Sequence, residues 1–96
     1  MNRLHAGIPY YTKVGSRWLA RTADGGFVVW QITDIDEGGS REHFKINGYT
    51  LNCEETQRYK EVTADDFHEA VRTKRVVCIG DKSKEEYIAG CVKQDL

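Results

Sequence analysis

The longest run of aromatic and β-branched residues in the chain is Phe27-Val28-Val29-Trp30-Gln31-Ile32-Thr33-Asp34-Ile35, a composition that predicts a central strand. Turn formers bracket it: Asp24-Gly25-Gly26 before it and Asp36-Glu37-Gly38-Gly39-Ser40 after it. At a period of two, Val28, Trp30 and Ile32 share one face. Phe27, Val29 and Ile35 share the other, on which Gln31 and Thr33 meet solvent. Upstream, Arg17-Trp18-Leu19-Ala20-Arg21-Thr22 alternates in the same way, with Trp18 and Ala20 opposite the two arginines. It is the expected hairpin partner of the central strand across Ala23-Asp24-Gly25-Gly26. Tyr10 to Val14 reads as a short edge strand preceded by an arm, residues 1–9, whose Gly7-Ile8-Pro9 argues against a helix.

Downstream, Glu42 to Ile46 alternates with Phe44 and Ile46 inward and His43 and Lys45 outward. Asn47-Gly48 then carries the signature of a two-residue hairpin turn, with Tyr49 to Cys53 as the returning strand. Glu54-Glu55-Thr56-Gln57 leads to a last exposed strand, Arg58 to Val62. After it the period changes. Thr63 stands as an N-cap before Asp65 and Asp66, and Phe67, Ala70 and Val71 form an i, i+3, i+4 stripe, so a short helix is expected to end near Thr73. Arg75 to Ile79 is a further strand, stopped by Gly80-Asp81. Ser83-Lys84-Glu85-Glu86 matches a capping box opening a second helix, whose apolar face is Tyr87, Ile88, Cys91 and Val92. The expected fold is α+β: an antiparallel sheet or small SH3-like barrel of four to six strands with two short helices. It is a single domain over residues 1–96, a β meander over 10–62 followed by helix, strand and helix over 63–96. Trp30, Phe44, Leu51, Phe67 and Ile88 are its expected core, with Trp30 the deeper of the two tryptophans.

At 96 residues there is room for one modest core. Fourteen Lys and Arg against 15 Asp and Glu leave a formal charge of -1, which gives no bulk attraction to nucleic acid or to an anionic membrane. No apolar run reaches the ~18 residues of a spanning helix, and the N-terminus lacks the apolar core of a signal peptide. A cytoplasmic protein without a membrane partner is expected. Cys53, Cys78 and Cys91, three cysteines at wide spacing, fit neither a disulfide framework nor a zinc knuckle. They read as free thiols, with Cys78 and Cys91 as small core residues.

No local signature of a nucleophile with its base, of a phosphate-binding loop or of a metalloprotease helix is present, so no catalytic residue, metal site or cofactor is predicted, and His68 reads as a surface histidine. Protein binding is the favoured class. Its candidate contact residues are Tyr10, Tyr11, Arg17, Trp18, Arg21, Lys45, Tyr49, Arg58, Tyr59, Lys60, Asp65, Asp66 and Glu69, aromatic and charged groups of the types that anchor and steer interfaces. The alternative is a small nucleic-acid-binding barrel, because Arg17, Arg21, Lys45, Arg58 and Lys60 alternate with tyrosines along the strands. Self-association through an unpaired edge such as Tyr10 to Val14 is a further option.

The succession Gly15-Ser16-Arg17-Trp18, Gly25-Gly26-Phe27-Val28-Val29-Trp30 and Thr63-Ala64-Asp65-Asp66-Phe67 resembles the small SH3-like barrel proteins of bacteriophages and prophages, over about residues 13–73. The strand and helix from Arg75 to Leu96 lie beyond that pattern. The resemblance implies a compact binding module without conserved chemistry, of the kind that acts as an inhibitor or adaptor on a host complex such as a defence nuclease.

Overall fold

The computed structural model describes residues 12–39, 42–43 and 45–95, with side chains up to residue 90. Its elements in order are β1 (Arg17–Arg21), β2 (Phe27–Gly38), β3 (Lys45–Cys53), β4 (Tyr59–Thr63), α1 (Ala64–Arg72), β5 (Val76–Cys78) and α2 (Lys84–Asp95). The five strands form one antiparallel sheet in the order β4-β3-β2-β1-β5. Among the described residues the sheet is open, with β4 and β5 at its two edges. Of the two expected architectures, it is therefore the antiparallel sheet that forms, packed with two helices.

The central strand is longer than expected and changes face part-way. Ile32 stands opposite Leu51, yet Asp34 stands opposite Thr50, so Thr33 is an extra residue on β2. Such a bulge moves every later side chain across the sheet. Ile35, expected with Phe27 and Val29, accordingly packs with Trp30 and Ile32. A second bulge falls on Asn47, between the pairs Asp36 with Gly48 and Glu37 with Ile46.

Asn47-Gly48 is thus no turn. The two strands expected on either side of it are one strand, β3, and Gly48 pairs with Asp36 on one flank and Thr63 on the other. The glycine meets a different need. A Cβ at Gly48 would lie 2.6 Å from the carbonyl oxygen of Val62, so the absent side chain lets β4 come close where it runs into α1. Tyr10 to Val14 also departs from expectation over its described part. Lys13 to Gly15 is a turn, closed by the Ser16 amide donating to Lys13 O at 3.0 Å.

The sheet buries both faces. Against one lies α1, whose Phe67 meets Trp18 edge to face at 5.1 Å and the tilted Tyr49 ring at 5.0 Å. Trp18, Ile32, Tyr49, Leu51, Ala64 and Phe67 form this core. Against the other face, Tyr87 and Ile88 of α2 pack on Leu19, Val29 and Ile79. The expected ranking of the tryptophans is reversed. Trp18 is fully buried, its indole N–H donating to Ser16 Oγ at 2.9 Å, whereas its cross-strand neighbour Trp30 is only half-buried. Leu51 and Phe67 are buried as expected, Ile88 is half-buried, and Phe44 lies outside the described residues.

Both helix starts follow the sequence. Thr63 Oγ1 accepts from the Asp66 amide at 3.1 Å. The Ser83 Oγ accepts from the Glu86 amide at 3.0 Å while the Ser83 amide donates to Glu86 Oε1 at 2.9 Å, the reciprocal pair of a capping box. No helix among the described residues is long and apolar enough to cross a membrane.

Candidate interaction surface

The structure divides the sequence-derived contact residues into three groups. Trp18 and Tyr49 are corrected outright, because both rings belong to the α1-side core and are at most 2% exposed. Alternation with arginine misplaced Trp18. The sheet is covered on both faces, so the arginine-bearing side of β1 is no more the solvent side than the other.

Tyr49 keeps its hydroxyl satisfied inside that core by a 2.6 Å hydrogen bond with His68 Nε2 on α1. His68, expected at the surface, is half-buried as a result. Burial pushes the Tyr49 phenol up to about 12. It stays protonated at neutral pH and serves as a hydrogen-bonding strut.

Structural duties engage a second group. Arg17 reaches Glu54 with two bonds, Nε to Oε2 at 2.6 Å and Nη2 to Oε1 at 3.0 Å. Its Nη1 donates to the carbonyls of Gly80 at 2.8 Å and Lys82 at 2.6 Å. The hydrogen bond to Glu54, opposed by some desolvation, raises its already high pKa. This guanidinium closes the β3–β4 turn onto the segment leading to α2. The adjacent Glu55 accepts from the Val29 amide at 3.3 Å and pairs with Lys84 at 3.1 Å, while Lys84 also donates to Phe27 O at 3.1 Å. Burial disfavours the Glu55 carboxylate, but Lys84 and the Val29 amide outweigh it, and the group titrates below its ordinary value. Glu69 is paired with Arg72 on the same helix.

The third group is exposed: Arg21, Lys45, Arg58, Tyr59, Lys60, Asp65 and Asp66. Lys45 is placed at the far end of the sheet from Arg21, opposite Gly38 where Arg21 is opposite Phe27. Eleven steps along β2 separate those partners, Phe27 and Gly38, roughly 35 Å at strand spacing. Tyr10 and Tyr11 lie outside the described residues.

What the structure does bring together is the neighbourhood of edge strand β4. Tyr59, at its start, is 67% exposed. Lys60 lays its ammonium over the Trp30 ring, 4.3 Å from the centroid, a favourable cation–π contact. Beside Lys60 is an apolar cavity of about 110 Å³ between α1 and the face of the sheet, with Trp18, Trp30, Leu51, Val62, Phe67 and Ala70 among its walls. Exposed Lys60 and Asp66 stand at its rim. Lys60 and Asp66 were among the candidates legible in the sequence, Trp30 and Ala70 were not, and Tyr59 is a neighbour on β4 outside the cavity lining. Packing of α1 across the sheet sets those residues side by side, since the lining comes from all five strands and the helix.

Among the described residues, no group of three or more His, Cys, Asp or Glu side chains is placed to hold a metal ion. Cys53 is buried and Cys78 half-buried, both as free thiols, and the Cys91 side chain lies outside the described set. No family model, curated protein or solved structure matches this chain.

Proposed function

We propose that this protein is a non-catalytic binding module that docks on another protein through the β4 edge and the cavity beside it. The cavity supports this reading most directly. It is walled by two tryptophans, a phenylalanine and aliphatic groups, and it is rimmed by one cation and one anion. That is the arrangement of an interface hot spot, an apolar socket enclosed by polar residues that orient the partner. A cavity of roughly 150 Å³ accepts benzene, so this smaller one suits a branched aliphatic side chain. Beside it, β4 is an edge strand with no outer partner among the described residues, to which an extended segment of the partner adds as a further strand.

The resemblance to phage barrel proteins makes a host complex the partner class we favour. The nucleic-acid alternative draws less support from the geometry, since Arg17 is fully engaged and Lys45 and Arg21 stand at opposite ends of the sheet.

Affinity capture from host lysate, with and without nuclease and at two salt concentrations, tests the proposal. The expected result is a stoichiometric protein band that survives nuclease and is lost with Tyr59→Ala and Lys60→Glu, both surface changes. Recovery of nucleic acid alone, released at high salt, would transfer the case to the alternative.

A further inference from the structure

On the opposite face of the sheet, where the β1–β2 turn meets the segment between α1 and β5, runs a groove of about 520 Å³ lined by Leu19, Arg21, Phe27, Lys74, Arg75 and Val77 together with Thr22 and Ala23. Three of these residues are cations and none is a carboxylate. Elsewhere among the described residues, Arg17, Arg72 and Lys84 each have an acidic partner and Lys13, Lys45, Arg58, Lys60 and Lys82 have none, so what sets the groove apart is the gathering of three such cations on one lining. Arg21 instead lies over the Phe27 ring at 5.2 Å, Arg75 Nε donates to the Thr73 hydroxyl at 3.1 Å, and neither of them nor Lys74 has a carboxylate partner among the described residues. In a chain with more acids than bases, this is an uneven placement of charge.

Lys74 adds a second oddity. Helix α1 ends with the Lys74 amide donating to Val71 O at 3.1 Å and the Arg75 amide to Ala70 O at 2.8 Å, the Schellman pattern, whose left-handed position is usually glycine. Here that position is Lys74, at φ +66°, a conformation that residues bearing a Cβ rarely adopt. The strained residue presents a cation to the groove, and the next residue presents another.

We infer that this groove is a second docking site, built for a short acidic segment of a partner protein in which an apolar side chain is flanked by carboxylates. The apolar residue rests on Leu19, Phe27 and Val77, and the carboxylates meet Arg21, Lys74 and Arg75. Arginine's planar fork suits bidentate carboxylate recognition. A nucleic-acid strand fits the groove less well. It holds one aromatic ring, the rest of its floor is aliphatic, and stacking platforms are what hold single strands. The site is distinct from the β4 cavity and stands or falls separately from it.

The test uses the full-length protein and a fluorescein-labelled pentapeptide with leucine between two pairs of glutamates, followed by anisotropy. The same peptide with glutamines in place of the glutamates is the control, and an oligothymidine of matched charge is the competitor. Expected is binding of the acidic peptide that weakens with salt, is absent for the glutamine control, and falls about tenfold or more with Lys74→Glu and with Arg21→Glu. All these positions are exposed, and melting curves that overlay the parent's show that the fold is kept. Equal binding of the glutamine peptide, or no binding of the acidic one, would overturn the proposal. Preferential binding of the oligothymidine would make the groove a nucleic-acid site instead. Salt-sensitive self-association by light scattering, abolished by Lys74→Glu, would make its occupant a second copy of this chain.

Discussion

The two faces of the sheet are held by different means. On the α1 face the cement is aromatic: Phe67 meets both Trp18 and Tyr49, and all three rings are almost wholly buried. The helix supplying Phe67 begins at the residue where β4 ends, with Thr63 as both the last strand residue and the cap. On the α2 face the apolar layer is thinner. Leu19, Val29 and Ile79 are buried, whereas Tyr87 and Ile88 are only half-covered. There the attachment is reinforced by polar groups, Arg17 on Glu54 and two loop carbonyls, and Lys84 on Glu55 and Phe27 O. A helix adjacent in sequence to its strand needs only a buried stripe. One that returns after a loop is fixed by charged clasps whose geometry is specific but whose strength is modest.

This contrast is most sharply tested at Trp18. Trp18→Ala is expected to cost about 3–5 kcal/mol, as truncation of a fully buried aromatic does. In a domain of ~5–10 kcal/mol total stability it should leave a chain that is barely folded in chemical denaturation. Trp30→Ala, its cross-strand neighbour, should cost clearly less. Equal losses would show that the two rings share one core and that the α1 face is not graded from centre to edge.

Next in size is Arg17→Ala. Losing charge-assisted bonds to one carboxylate and two carbonyls should cost about 1–3 kcal/mol. Amide exchange should accelerate in β5 and the start of α2 while the β3–β4–α1 unit stays protected. If protection falls evenly across the sheet, the clasp belongs to the common core and the division between faces fails. The smallest effect is expected from Ser83→Ala, about 1 kcal/mol from the lost cap, read as a slight fall in the melting temperature.

Both caps, the stripe on α1 and the alternation of β1 could be read from sequence because each depends on neighbours within a few positions. The bulges could not. Thr33 and Asn47 carry no local mark of being the extra residue, and the face on which Ile35 lies depends on how β2 meets β3. The same is true of Gly48, where the turn signal of Asn-Gly was overridden by pairing on both flanks. Arg17 and Trp18 were misassigned for a related reason: a two-sided sheet gives an arginine-bearing face an interior role when a carboxylate from another turn lies within reach. The cavity beside Lys60 and the groove at Lys74 each join residues from several elements, so they become visible only once those elements are assembled.

The ladder between β2 and β3 runs on beyond its neighbours. The register of β1 on β2 covers Phe27 to Gln31 and that of β4 on β3 covers Gly48 to Asn52, whereas the pairs Glu37 with Ile46 and Gly38 with Lys45 have no further strand beside them among the described residues. The sheet therefore ends in a two-stranded prong, set off from the rest by the Asn47 bulge. A hairpin of two strands is marginal by itself in water, and the prong is tied to the core through Ile46, so its opening is expected at a lower free energy than unfolding of the domain. A spin label or fluorophore placed there would report a local melting transition well below the global one, giving this small protein two thermometers in a single chain.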